Sequence, residues 1–156
     1  MNTESTIIVP WDFSNHSKAA LKYAFQHFPS NDIRVICVLE PPNPYATGID
    51  WGPQQEQKAI DSCVEDFYKV AEHAYGTGLQ FFAEFGEPAD QIIRLAKKLD
   101  AGLIVISTHG RTGLQRLFMG SVAQKVTSKS TCPIIMLPSK WCEAEKAEQK
   151  EKLNTV

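Results

Sequence analysis

The stretch from Leu103 to Ser121, LIVISTHGRTGLQRLFMGS, runs from an apolar segment through a glycine-containing turn to the start of a helical segment. Leu103, Ile104, Val105 and Ile106 read as a buried strand, and Val122 to Ser130 reads as a helix opening on Gly120-Ser121. A strand, a Gly-rich turn and a helix start leave backbone N–H groups facing outward together. The helix end adds roughly +0.5 of an elementary charge, so an anion is favoured there. Glycine suits such a turn because a Cβ would hold phosphate oxygens off the backbone, and because it tolerates positive φ. The stretch therefore predicts a phosphate-bearing ligand.

Working outward, Ser5 to Pro10 reads as a strand, followed by a helix capped at Ser14 or Asn15 and running to about His27. Ile33 to Leu39 is a second strand. Glu40 to Pro53 holds four prolines and two glycines and reads as an irregular loop. From Gln54 to Tyr75, Ile60, Cys63, Val64, Phe67, Val70, Ala71 and Ala74 make one apolar helical face, which Gly76 and Gly78 end. Leu79 to Phe85 is a third strand, and Gly86-Glu87-Pro88 opens another helix. Gly102 to Ile106 is the fourth strand and Pro133 to Leu137 the fifth. Strands alternating with helices predict a doubly wound α/β domain, a five-stranded parallel sheet with helices on both faces. The near-continuous apolar strands agree, since a strand buried on both faces need not alternate.

A chain of 156 residues is most simply one domain. Its 43% hydrophobic and 22% charged residues are those of an ordinary globular protein. A net charge of −2 gives no electrostatic reason to expect nucleic acid or an anionic membrane surface as partner. Neither a signal peptide nor a membrane span is read in it, so a cytoplasmic location is expected. Cys37, Cys63, Cys132 and Cys142 show no CxxC or metal-ligand spacing. The first three sit in apolar patterns and are expected to be buried, reduced thiols.

In an open α/β sheet, ligands sit beyond the carboxyl ends of the strands, where the winding reverses. Asp12 follows the first strand; its carboxylate either accepts hydrogen bonds from a ribose hydroxyl or base amine, or caps the first helix. Val38 either walls an adenine pocket or belongs to the core. His109 either touches ligand or holds the turn. No P-loop, GxGxxG, protein-kinase, HExxH or Ser-His-Asp pattern is present.

Ordered landmarks then carry a resemblance: VPWDFS at Val9–Ser14, GEP at Gly86–Pro88, STHGRTGLQRLFMGSVAQKV at Ser107–Val126 and CPIIML at Cys132–Leu137. Over Thr6 to Pro138 the chain resembles the universal stress protein family. The resemblance implies strand order 3-2-1-4-5 and a homodimer formed through strand five. It divides the chain into a nucleotide-binding domain over residues 1–138 and a charged C-terminal tail over 139–156.

Members that bind ATP carry Gly-x-x-Gly, nine residues, then Gly-Ser or Gly-Thr. Gly110, the nine residues Arg111 to Met119, and Gly120-Ser121 match the later part; Ser107 stands at the first glycine. The resemblance implies that Asp12 and Val38 hold the nucleoside, and that Gly110, Gly120, Ser121 and Val122 hold ribose or phosphates. Pro10, Ser107 and His109 complete the implied site, with Mg²⁺ accompanying the phosphates. Arg111 or Arg116 could neutralise phosphate charge. Hydrolysis is expected to be slow at most, because no general base or arginine finger stands out. The competing reading is an interaction module of the same fold that binds no nucleotide but dimerises and meets an unknown protein partner.

The fifth strand itself, Ile134-Ile135-Met136-Leu137, is too apolar for an unpaired edge. Either a second copy or a covering tail is expected on it. The Glu- and Lys-rich segment from Glu143 to Val156 reads as solvated helix or disorder.

Overall fold

The computed structural model describes residues 5–42, 51–76, 78–109, 119–144 and 147. Strands β1 (Ile7–Trp11), β2 (Ile33–Leu39), β3 (Gln80–Phe85), β4 (Leu103–Ser107) and β5 (Ile134–Leu137) form one sheet in the order β3-β2-β1-β4-β5. All four pairings are parallel. The connecting helices are α1 (Asn15–His27), α2 (Pro53–Tyr75), α3 (Pro88–Lys98) and α4 (Ser121–Lys129), with one 3-10 turn at Ser30–Asp32.

Strand alternation divides the core in two. Ile7, Val9, Trp11, Val35, Cys37 and Val105 face α1 and α2, while Ile8, Ile36, Ile104 and Ile106 face α3 and α4. Each face of the sheet is thus covered by two helices, as the sequence pattern requires. The stripe of α2 is narrower than expected. Cys63, Phe67 and Ala71 are buried, but Val70 is 37% exposed and Ala74 is exposed. Of the four cysteines, Cys132 is only half-buried, whereas Cys142 is buried.

The central strand ends one residue later than expected, at Trp11, which places Pro10 inside it. Proline cannot donate to a ladder, so a central strand tolerates it only where pairing has stopped. That is the case here. β1 pairs with β2 through Trp11↔Cys37, but its register with β4 holds only Ile7↔Leu103 and Ile8↔Ile104. Beyond Ile8 the two middle strands part, and this split lies where the winding reverses.

Residues 139–144 are helical, Trp141 packs edge-on to Tyr23 with ring centroids 5.6 Å apart, and Cys142 is 3% exposed. The packed body therefore continues past Pro138 and turns back onto α1.

Candidate functional site

The carboxyl ends of β1 and β4 and the start of α4 meet at the split. Asp12 leaves β1, and its Oδ1 accepts the Ser14 N–H at 3.0 Å. The helix cap falls to Ser14, whose Oγ accepts the Ser17 N–H at 3.1 Å. Of the two roles open to Asp12 in the sequence, capping is thus taken by its neighbour. Asp12 instead closes a short Asx-type turn that fixes its carboxylate at the strand end. Between them Phe13 adopts φ 63°, a left-handed conformation costly for an aromatic residue.

At the end of β4, Ser107 is buried and its hydroxyl donates to the His109 carbonyl at 2.7 Å. The Thr108 N–H donates to the Leu137 carbonyl at 3.0 Å, and the Thr108 carbonyl accepts the Gly120 N–H at 2.7 Å. Gly120 is the N-cap of α4. Its φ is −60° and ψ 151°, a conformation open to any residue, so of the two properties that suit glycine to such a turn positive φ is not the one used here. Its requirement is steric: a Cβ there would lie 3.1 Å from the Thr108 carbonyl oxygen and 3.8 Å from the His109 Cα.

Glycine at the cap has a second effect. It carries no side-chain oxygen, so α4 lacks the cap that Ser14 gives α1. The first N–H groups of a helix have no intrahelical partner, and at α4 the cap residue supplies no side chain to occupy them. Ser121 and Val122 supply two of those groups, with Ser121 exposed and Val122 half-buried. The orientation of α4 is set at its far side. Lys125 donates to Glu87 at 2.8 Å and Lys129 to Asp90 at 2.6 Å, tying the helix to the first turn of α3. The hydrogen bond from Lys125, aided by the Asp90 N–H, holds the Glu87 carboxyl below its ordinary range. The Lys129 ammonium does the same to Asp90.

Val38 and Val122 both pack half-buried against the core on the α3–α4 side, and alternation puts Pro10 on that face beside Ile8. An apolar wall on one side and a helix start without a side-chain cap on the other therefore flank Asp12. The fold brings together Pro10, Asp12, Val38, Ser107, His109, Gly120, Ser121 and Val122; Gly110 lies outside the described residues, as do Arg111 and Arg116.

Two further polar residues join this edge without a signal in the sequence. His16, in the first turn of α1, has its ring centroid 6.0 Å from that of His109. Its Nε2 lies 2.8 Å from the Ser139 Oγ, while His109 Nδ1 lies 2.9 Å from the Thr108 Oγ1. Only the sheet order makes these residues neighbours. Among the described residues no group of three or more His, Cys, Asp or Glu could hold a metal ion. A cavity of about 220 Å³ lined by Lys97, Asp100, Thr131 and Cys132 lies at the opposite, amino-terminal edge of the sheet. Among the described residues no helix is long and apolar enough to cross a membrane.

Comparison with known proteins gives matches over almost the same span. A family model described as the universal stress protein family matches residues 5–138. Universal stress protein MJ0531 of Methanocaldococcus jannaschii is 30% identical over 141 residues, covering 87% of this chain and 83% of that protein. Among solved structures, MJ0577 of the same organism superposes with a TM-score of 0.71 at 19% identity, over 86% of this chain and 96% of its own. A universal stress protein solved in complex with cAMP superposes with a TM-score of 0.60 at 19% identity, over 85% and 96%.

Proposed function

Because this chain belongs to the universal stress protein family, we propose that it binds ATP in the split between β1 and β4 and serves as a homodimeric regulatory module. The observation that carries this reading is the start of α4. Its cap is a glycine pressed against the Thr108 carbonyl, so its first N–H groups are left for an anion instead of a side chain. The Ser121 and Val122 N–H groups hold the phosphates there, with Gly120, its own N–H given to the Thr108 carbonyl, keeping the approach clear of a side chain, and Mg²⁺ travels with them. Pro10, Val38 and Val122 wall the base, and Asp12, fixed by the Ser14 N–H, accepts hydrogen bonds from the ribose or base. A protein of the same fold solved with cAMP, an adenine nucleotide, supports the assignment of the ligand class.

Ser107 occupies the position where the ATP-binding pattern has glycine. Its hydroxyl turns inward to the His109 carbonyl, away from competition for ligand, which supports tolerance of the substitution. The reading includes slow hydrolysis at most.

Calorimetric titration with ATP and Mg²⁺, on protein cleared of carried-over nucleotide, tests it. Saturation near one ATP per chain supports the reading. No binding up to millimolar ATP moves the chain to the alternative that Ser107 favours, a dimeric interaction module without nucleotide.

A further inference from the structure

Asp100 follows the last turn of α3 in a left-handed conformation, with φ 49°. The helix closes around it: the Ala101 N–H donates to the Ala96 carbonyl at 2.8 Å, and the Asp100 N–H to the Lys97 carbonyl at 3.3 Å. Glycine or asparagine usually fills such a place. Aspartate is disfavoured there twice, by the backbone conformation and by the negative end of the helix dipole, which Lys97 and Lys98 suit. Asp100 and Lys97 both line the cavity of about 220 Å³ at the amino-terminal edge of the sheet. Both are exposed, and among the described residues neither side chain enters a hydrogen bond or ion pair. We propose that this cavity binds a small aliphatic α-amino acid, its ammonium on Asp100, its carboxylate on Lys97 and its side chain against Ile93, Ala96 and Ala101.

Size, lining and charge define that ligand. The volume of about 220 Å³ is below the roughly 300–1,000 Å³ of sites for drug-sized molecules, which excludes a nucleotide and suits a single amino acid. Ile93, Ala96 and Ala101 are 8%, 6% and 8% exposed and make the inner lining apolar. Opposite charges on one rim complement a zwitterion, whereas a simple anion would meet Asp100 and a simple cation Lys97 in repulsion. The far wall is held in place by Ser130, whose hydroxyl donates to the Cys132 carbonyl at 2.9 Å and accepts the Cys132 N–H at 3.2 Å. A wall fixed before binding lowers the ordering cost of the ligand. A carboxylate kept where a neutral residue would stabilise the helix end marks a cost carried for binding.

The cavity lies at the edge of the sheet opposite the split between β1 and β4, so the proposal stands apart from the nucleotide reading and its test needs no ATP.

The test is an NMR titration of the isotope-labelled full chain with L-leucine, repeated with leucinol, which lacks the carboxylate, and with isocaproate, which lacks the ammonium. L-leucine is expected to give saturable shifts at the amides of Lys97, Asp100, Ala101 and Cys132, and each analogue to bind about tenfold or more weakly. Asp100→Asn should weaken L-leucine binding by about tenfold or more yet melt at or above the parent temperature, because asparagine suits the left-handed position and carries no charge. Lys97→Gln should weaken binding similarly with the fold kept. Absence of saturable shifts up to millimolar L-leucine would overturn the proposal. So would equal binding of leucinol or isocaproate, or parent-like binding by Asp100→Asn. An Asp100→Asn chain melting well below the parent would make Asp100 a structural residue and overturn it too.

Discussion

Gly120 donates its backbone N–H to the Thr108 carbonyl at 2.7 Å, so one hydrogen bond joins the end of β4 to the start of α4. The contact is close enough that a methyl group on Gly120 would sit 3.1 Å from the same oxygen. Strand end and helix start must therefore separate to admit any side chain.

Gly120→Ala tests this first. Its φ of −60° is unstrained for alanine, so the expected effect is displacement of the α4 start by a few tenths of an ångström without loss of the fold. ATP affinity should fall about tenfold, equivalent to about 1.4 kcal/mol, and further in Gly120→Val. Titration calorimetry paired with thermal melts separates binding from folding. Parent-like affinity in Gly120→Val would remove the α4 start from the site.

Asp12 and Ser14 divide two tasks that the sequence leaves open between them. Asp12→Asn keeps an oxygen to accept the Ser14 N–H while removing the charge. It should leave stability within about 0.5 kcal/mol of the parent and weaken nucleotide binding. Ser14→Ala should do the reverse, costing about 1 kcal/mol of stability through loss of the α1 cap, with affinity nearly unchanged. Denaturant unfolding and titration of both variants decide it, and a stability loss confined to Asp12→Asn would return Asp12 to a structural role.

The layers of this fold were legible because strand and helix periods are set locally: Ile8 and Val9 are apolar for opposite faces, and Cys63, Phe67 and Ala71 recur at helical spacing. Strand order was not a local property, and it came from the family resemblance. The close approach of the β4 end to the α4 start was legible at Gly120-Ser121, where a Cβ on Gly120 would meet the Thr108 carbonyl oxygen. Pro10 looked like the end of a strand; its place inside β1 follows from β4 diverging, which no residue of β1 encodes by itself. His16 and Ser139 were missed because 123 positions separate them and only the docking of residues 139–144 onto α1 brings them to 2.8 Å.

The α3–α4 ion pairs set an acid limit on the same site. Glu87 and Asp90 are held below their ordinary values of 4.5 and 3.8 in the folded chain. A carboxylate depressed by folding contributes stability that is present above its ordinary value and lost as pH falls through the folded value. Lys125 is raised above 10.5 by Glu87, so its contribution is present below that pH and lost as pH rises beyond it. Thermal stability should therefore be flat through neutral pH and decline below about pH 4.5, more gently in high salt because these pairs are exposed. Melts of the parent against Glu87→Gln check this, and the acid decline should be shallower in the variant. An identical acid profile would show that the Glu87–Lys125 pair does not hold α4.

The outer edge of β5 carries the remaining prediction. β5 pairs with β4 on one side, from Ile104↔Ile134 to Ser107↔Leu137, and no other described strand pairs with it. Ile135 packs on one core cluster and Ile134 on the other, whereas half-buried Met136 is not among the residues packed against either. Residues 139–144 turn onto α1, where Trp141 meets Tyr23. An apolar edge of this kind pairs readily with another chain, and a two-fold axis would set two copies of it antiparallel. Met136→Glu changes that edge at a half-buried residue on the Ile134 face, outside both core clusters, and thermal melts beside the sedimentation check that the fold is kept. Since a two-fold contact places each β5 against its own copy, one substitution per chain sets two carboxylates into the same seam. The parent should sediment as a dimer and Met136→Glu as a monomer at the same micromolar concentration, with a dimer dissociation constant raised about tenfold or more. Sedimentation equilibrium measures both. A parent dimer that Met136→Glu leaves equally tight would put the interface on another face, and a monomeric parent would leave β5 as a true edge.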